Sequence, residues 1–155
     1  MLPAASWDMI RARQRRATFK RKEKLIDRKE RRMQAFGAFL IDFVRDLNHL
    51  SDAGWSLLIE GPRDEKALRD LGYEGPLATV SSVTKNGPEA LGDAKKVVIL
   101  TDLDREGSVL AARYVKRLGH EGFRTSLSER RRLKSASRGV FLHVENLSRF
   151  GEHSE

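Results

Sequence analysis

The stretch Val97-Val98-Ile99-Leu100-Thr101-Asp102-Leu103-Asp104-Arg105-Glu106-Gly107 decides the fold of this chain. Its four leading apolar residues are typical of a short strand that is buried on both faces of a parallel sheet. Asp102 and Asp104 follow where that strand ends, which is the edge where open α/β sheets bind their ligands. Because neighbouring carboxylates repel each other, the pattern indicates a divalent cation between them.

Strand and helix signals alternate along the rest of the chain, which predicts an α/β fold with a Rossmann-like, mainly parallel sheet flanked by helices. The predicted strands are 55–59, 77–80, 97–100, 123–127 and 140–144. The predicted helices are 64–71, 107–118 and 129–136, with a polar loop at 81–88 and a helical turn at 89–91. Residues 1–50 are predicted to form a basic helical extension and a docking helix, and residues 51–155 the α/β domain.

The positive charge of the chain lies in residues 11–32. Twelve basic residues minus three acidic ones give this segment +9, while the remainder, with 18 basic and 19 acidic residues, carries −1. Since the segment lacks Pro and Gly, it favours a long solvated helix, and such a block attracts polyanions. Phe19 is its one aromatic residue, so contact is expected mainly with nucleic-acid phosphates. The predicted nucleic-acid-binding residues here are Arg11, Arg13, Arg15, Arg16, Lys20, Arg21, Lys22, Lys24, Arg28, Lys29, Arg31 and Arg32.

A solvated helix that contacts only water is the alternative interpretation of this charge. The next segment, residues 33–50, has apolar residues at three- and four-residue steps, which predicts an amphipathic helix. We expect it to dock on the sheet or on a partner protein. Its apolar residues are Met33, Phe36, Phe39, Leu40, Phe43, Val44, Leu47 and Leu50.

Several classes of site are excluded by composition. The chain has no cysteine, which rules out disulfides, thiolate zinc sites and cysteine nucleophiles, and its four histidines show no zinc-binding spacing. No apolar run reaches the length that a bilayer requires, and the amino terminus lacks the order of a secretory signal. The expectation is a cytoplasmic protein without membrane contact.

A third carboxylate, Glu60, follows the predicted strand 55–59. Parallel neighbouring strands would bring it to the same edge as Asp102 and Asp104. A calcium-binding EF-hand loop does not fit, because its twelfth position would be Arg113 instead of a glutamate. A glycine-rich dinucleotide motif and a P-loop are also absent from the sequence.

Two stretches carry a family resemblance: Leu58-Ile59-Glu60-Gly61-Pro62-Arg63-Asp64 with Ala67-Leu68, and Thr101 to Gly107. They resemble the two signature motifs of the Toprim domain, which topoisomerases, bacterial-type primases and several nucleases share. The likeness covers residues 55–127. In size the chain is similar to small stand-alone archaeal Toprim proteins related to the 5S ribosomal RNA maturation ribonuclease.

The resemblance implies a Toprim-type sheet and a site for phosphoryl transfer. Glu60 would be the general acid or base, and Asp102 and Asp104 would bind Mg²⁺, with Mn²⁺ as an alternative cation. The three carboxylates are thus the predicted catalytic residues and the predicted metal site, while Arg63 and Arg105 are predicted to contact nucleic-acid phosphate. Related proteins carry Lys at the position of Pro62 and Glu at that of Ser108, so the number of cations stays open.

The predicted function is therefore Mg²⁺-dependent phosphoryl transfer by a nuclease that acts on structured RNA or on DNA. The alternative is a non-catalytic nucleic-acid-binding accessory subunit of a ribonucleoprotein or replication complex. A second basic cluster could form another wall of the substrate groove, or a solvated helix face. It consists of Arg130, Arg131, Arg132, Lys134 and Arg138.

Overall fold

The computed structural model describes residues 4–138 and 143–151. The strands are β1 (Trp55–Ile59), β2 (Leu77–Thr79), β3 (Lys96–Ile99) and β4 (Arg124–Ser126). The helices are α1 (Ala4–Asp52), α2 (Pro62–Asp70), α3 (Val80–Asn86), α4 (Arg105–His120), α5 (Ser128–Ser137) and α6 (Ser148–Gly151). Two 3-10 turns lie at Pro88–Leu91 and Val144–Asn146. The predicted α/β class, with helices flanking a parallel sheet, is confirmed.

The four strands form one parallel sheet in the order β2-β1-β3-β4. Leu58 lies opposite Ile99 in the central pair, and the Leu100 N–H donates to the Leu58 carbonyl at 2.8 Å, just beyond β3. From β1 the chain goes to one edge of the sheet, and from β3 it goes to the other edge. The point where the strand order reverses therefore lies between the carboxyl ends of β1 and β3, which is where such sheets bind ligands.

The central strands are buried because both faces of the sheet are covered. Residues 57–59 and 97–100 are at most 2% exposed. On one side, Ala111, Tyr114 and Leu118 of α4 pack in the same apolar cluster as Leu58 and Val97. Burial of this kind stabilises the fold by roughly 25 cal/mol for each Å² of apolar surface removed from water. The polar residues that follow each buried run, Glu60 and Asp102, come where the two central strands have ended.

Helix α1 joins the two segments that were predicted as separate helices. The chain divides into two compact units, Met1–Ala35 and Phe36–Glu155, so the division falls within α1. In the second unit, an apolar face of α1 is buried; it comprises Phe36, Leu40, Phe43, Val44 and Leu47. Docking on a partner protein through residues 33–50 stays a prediction. No helix in the described residues has both the length and the apolar character to cross a membrane.

Two predictions differ from the observed structure. Helix α3 takes up Val80, which was predicted to end a strand, and residues 81–86, which were predicted as a loop, because the Thr79 hydroxyl oxygen accepts from Ser82 N at 3.1 Å and Val83 is buried. The strand predicted at 140–144 lies largely outside the described residues. Its last residue, Val144, begins a 3-10 turn.

Candidate metal and active site

The three predicted carboxylates come together at the switch point of the sheet. Glu60 is the first residue after β1, and Asp102 lies three residues beyond the end of β3. The backbone N–H of Asp102 donates to Glu60 Oε1 at 3.0 Å. This hydrogen bond joins the loops that follow the two central strands. The carboxyl group of Glu60 therefore lies against residues 100–104, the loop between β3 and α4, which we call the acidic loop.

Asp104 is the N-cap of α4 and accepts from Gly107 N through Oδ1 at 2.7 Å. The Thr101 hydroxyl donates to the Gly107 carbonyl at 2.7 Å, which folds the acidic loop tightly over the start of the helix. A Cβ atom at Gly107 would overlap the carbonyl oxygen of Asp102. Glycine is therefore required here by the close approach of two backbone segments.

A residue that the sequence did not indicate, His143, completes this cluster. Its Nδ1 lies 3.2 Å from Asp102 Oδ2 and 4.0 Å from Asp104 Oδ2. The next residue, Val144, donates its backbone N–H to Asp102 Oδ1 at 2.8 Å. One ligand atom from each of Asp102, Asp104 and His143 lies within 4.8 Å of the other two. In the described residues, this is the one group of three or more acidic or histidine side chains with such spacing.

The donor set fits a small divalent cation. Carboxylate oxygens are the preferred protein ligands of Mg²⁺, which keeps several waters in its shell. Asp102 and Asp104 are only partly buried, so a cation with its waters can reach them. Glu60 offers Oε2, which has no hydrogen bond among the described residues.

Arg130 of α5 supplies positive charge beneath the acidic loop. It is only 7% exposed and donates to the backbone carbonyls of Thr101 at 3.3 Å and Asp102 at 2.5 Å. A further bond reaches the Ser108 hydroxyl at 3.0 Å. Burial lowers the pKa of Arg130, and the nearby carboxylates, Asp104 first, oppose that shift. Arginine stays charged in proteins, so its charge offsets part of the repulsion between the carboxylates.

Replacing Arg130 by Met is expected to lower the free energy of unfolding by about 3 kcal/mol, because the buried carbonyl of Thr101 and the partly buried carbonyl of Asp102 lose their charged donor. For a chain of this length, the melting temperature should fall by about 6–12 °C. Thermal denaturation followed by circular dichroism measures it. Arg131, which is exposed on the same helix, is the matched control. An equal effect of Arg131→Met would contradict this role for Arg130.

The electrostatics of the site raise the pKa of Glu60 above its ordinary value. Burial raises the pKa of Glu60, although the hydrogen bond from Asp102 N lowers it, and the charges of Asp102, Asp64 and Asp104 raise it further. Burial also raises the pKa of Asp64, whose Oδ2 accepts from Gly61 N at 3.2 Å and so helps to cap α2. A cation at the cluster would counter these shifts.

Removing the ionisable group of Glu60 should therefore stabilise the cation-free protein at neutral pH. The folded-state pKa of Glu60 is raised above the ordinary 4.5, so the fold favours the protonated carboxyl group. The stability that this group contributes is fully present below pH 4.5 and is lost as the pH rises through the folded-state pKa. Glu60→Gln keeps the acceptor for Asp102 N. Its melting temperature with EDTA should exceed that of the wild type at pH 7, and the difference should vanish below about pH 4.5. If the melting temperature of Glu60→Gln stays above that of the wild type below pH 4.5, the raised pKa of Glu60 is not the cause of the difference.

The two predicted phosphate-contacting arginines have different surroundings. Arg105 and Glu60 line the same cavity of about 420 Å³, beside the first turn of α4. Arg63 is 86% exposed and lies 3.9 Å from Glu145. The structure thus places Arg105 beside Glu60, whereas Arg63 has an acidic neighbour of its own.

The basic residues 11–32 of α1 belong to the first compact unit, Met1–Ala35. All twelve Lys and Arg side chains between residues 11 and 32 are exposed, in agreement with a solvated helix. One is partly neutralised, since Arg31 forms an ion pair with Asp27 at 2.7 Å. The others leave a dense positive surface on this helix.

The second basic cluster is less available than predicted. Arg130 is buried, and Arg132 forms an ion pair with Asp46 at 2.5 Å. The Arg132 guanidinium also stacks over the rings of Phe39 and Phe43, at 5.3 and 5.8 Å from their centroids. Arg130 and Arg132 therefore make contacts within the domain and are not available to line a substrate groove.

Known proteins are similar to this chain in sequence, and a solved structure is similar to it in fold. No family model matches the chain. A UPF0292 protein from Pyrococcus abyssi is 31% identical over 106 residues, which cover 68% of this chain and 80% of that protein. One from Methanosarcina barkeri is 32% identical over 108 residues, with 68% and 76% covered. A solved structure of a protein from Aquifex aeolicus is 25% identical, has a TM-score of 0.56, and matches 68% of this chain and 94% of its own. By this similarity, the chain belongs to the UPF0292 family.

Proposed function

We propose that this protein is a metal-dependent nuclease of the Toprim type, which transfers phosphoryl groups of structured RNA or DNA. The observation that carries the proposal is the meeting of Glu60, Asp102 and Asp104 at the switch point of the sheet. Glu60 directly follows one buried central strand, Asp102 and Asp104 lie on the loop after the other, and the Asp102 N–H donates to Glu60 Oε1 at 3.0 Å. A rigid scaffold with acidic side chains on the following loops is suited to catalysis.

The roles of the residues follow from their positions. Asp102 and Asp104 would hold Mg²⁺ or Mn²⁺, which polarises a phosphate and lowers the pKa of bound water. Glu60 lies beside them and keeps Oε2 without a hydrogen bond among the described residues, so it can move a proton to or from the reacting group. Arg105 lines the same cavity as Glu60, where a guanidinium would attract a phosphate.

The basic segment supports a nucleic-acid substrate. Twelve exposed cations within 22 residues make a surface that binds phosphates without reading sequence. The segment offers Phe19 as its aromatic side chain, which is 63% exposed. Because RNA and DNA share the phosphate backbone, one segment that contacts phosphates would bind either of them.

The proposal is tested by cleavage assays on the purified full chain. End-labelled hairpin, duplex and single-stranded RNAs and DNAs are incubated with Mg²⁺, Mn²⁺ or EDTA. We expect cleavage of at least one substrate with either cation, none with EDTA, and none by Asp102→Asn. Asp93→Asn, an exposed carboxylate before β3, should cleave as the wild type does. Failure to cleave any member of the panel would count against the nuclease.

One observation favours the alternative, a nucleic-acid-binding accessory protein without catalysis. Both carboxylate oxygens of Asp102 already contact the chain, Oδ1 through Val144 N at 2.8 Å and Oδ2 through His143 Nδ1 at 3.2 Å. In that case the cluster would place phosphate and metal without turnover. No cleavage by the wild type, together with nucleic-acid binding that is unchanged in Glu60→Ala, would favour this role.

A further inference from the structure

We propose that His143 is a third ligand of the cation at Asp102 and Asp104, and that it gives the site a preference for first-row transition cations over Mg²⁺. This inference rests on the proposed metal site and adds a ligand to it. The ring nitrogen that faces both aspartates is Nδ1. In the cation-free protein this nitrogen lies at hydrogen-bond distance from Asp102 Oδ2, 3.2 Å; in the neutral tautomer with the proton on Nε2, its lone pair is directed toward the carboxylates.

The spacing of the three ligand atoms suits one octahedral cation. With metal–ligand distances of about 2.1 Å, neighbouring corners of an octahedron lie about 3 Å apart and opposite corners about 4.2 Å apart. The distances from His143 Nδ1 are 3.2 Å to Asp102 Oδ2 and 4.0 Å to Asp104 Oδ2. These two distances resemble those of neighbouring and opposite corners, and the ligand oxygens of Asp102 and Asp104 lie within 4.8 Å of each other, so side-chain adjustment would bring all three groups onto one cation.

The backbone of His143 is held in place by the buried chain on its carboxyl side. Val144 and Leu147 have no exposed surface, and Val144 N is hydrogen-bonded to Asp102 Oδ1. The His143 side chain itself is 49% exposed. The backbone is thus anchored to the acidic loop while the ring remains reachable from solvent, which is the arrangement that a metal ligand needs.

The donor set determines which cation binds best. Mg²⁺ prefers oxygen ligands and gives up its waters reluctantly, so an imidazole adds little to its affinity. First-row transition cations accept imidazole together with carboxylate, and their affinities for mixed nitrogen and oxygen sites are higher. A site of Asp102 and Asp104 alone would discriminate less between the two classes.

The test uses Mn²⁺ as the probe, because it is paramagnetic. Pulsed electron paramagnetic resonance of Mn²⁺ bound to the full chain should show coupling to an imidazole ¹⁴N nucleus, and His143→Ala should remove it. His120→Ala, an exposed histidine on α4, is the matched control and should keep the coupling. Absence of nitrogen coupling in the wild type would overturn the inference.

Affinities give a second, independent readout. Titration of Mn²⁺, with displacement by Mg²⁺, should show that His143→Ala lowers the ratio of Mn²⁺ to Mg²⁺ affinity about tenfold or more. An unchanged ratio would overturn the inference, and tighter binding of both cations would show that the imidazole competes with them. Asp102→Asn tests the underlying site separately. If it binds Mn²⁺ as the wild type does, the metal site itself is contradicted.

Discussion

Glu60→Gln is expected to lower the single-turnover rate of nucleic-acid cleavage by a factor of about 10²–10⁴. The amide keeps the acceptor for Asp102 N, so the loop geometry survives, but it cannot exchange a proton. Rates are measured with the enzyme in excess over an end-labelled substrate at saturating cation. Mn²⁺ affinity, measured in parallel, should change far less than the rate.

The matched control for this variant is Glu106→Gln. Glu106 lines the same cavity as Glu60 and is exposed in the first turn of α4, yet it is not hydrogen-bonded to the acidic loop among the described residues. We expect wild-type cleavage from it. Wild-type cleavage by Glu60→Gln would remove the acid–base role, and a parallel loss of Mn²⁺ affinity would make Glu60 a metal ligand instead.

The affinity of the wild type for a structured RNA or DNA is expected to fall about 10³-fold between 50 and 200 mM salt. The reason is counterion release, because the exposed cations of residues 11–32 neutralise phosphates directly. Fluorescence anisotropy with a labelled hairpin, across a series of salt concentrations, gives the slope of log affinity against log salt.

Variants that remove charge from residues 11–32 test whether this segment produces the salt dependence. Replacing Arg13, Arg16, Lys20 and Lys24 by Gln should reduce the magnitude of the slope by about one for each phosphate that the variant no longer neutralises. Lys116→Gln, an exposed cation on α4, is the control and should leave the slope near that of the wild type. An affinity that does not depend on salt would contradict phosphate binding by the segment.

The sequence predicts the central sheet well because its signals are local. Strand β1 begins and ends where its apolar run does, and β3 is shifted by one residue from the run 97–100. The carboxylates meet because parallel strands place the following loops at one edge, which is a general property of the topology. Helix α3 was missed because its polar sequence lacks apolar periodicity and depends on the cap at Thr79.

The residues that sequence reasoning missed act through contacts distant along the chain. His143 and Asp102 are 41 residues apart, and nothing near His143 resembles a metal-binding spacing. Arg130 was grouped with a basic cluster, since a buried arginine and an exposed one look alike in sequence. Its hydrogen bonds to the carbonyls of Thr101 and Asp102 span 29 and 28 residues. Only the packing of α5 beneath the acidic loop distinguishes it.

The most direct measurement replaces a non-bridging oxygen of the scissile phosphate by sulfur. If a cation held by Asp102 and Asp104 contacts that oxygen, one phosphorothioate isomer should be cleaved slowly with Mg²⁺, which binds sulfur poorly, and faster with Mn²⁺. The proposed site predicts this rescue for the wild type. Cleavage that is equally fast with oxygen and with either sulfur isomer in Mg²⁺ would contradict a metal ion acting on the phosphate.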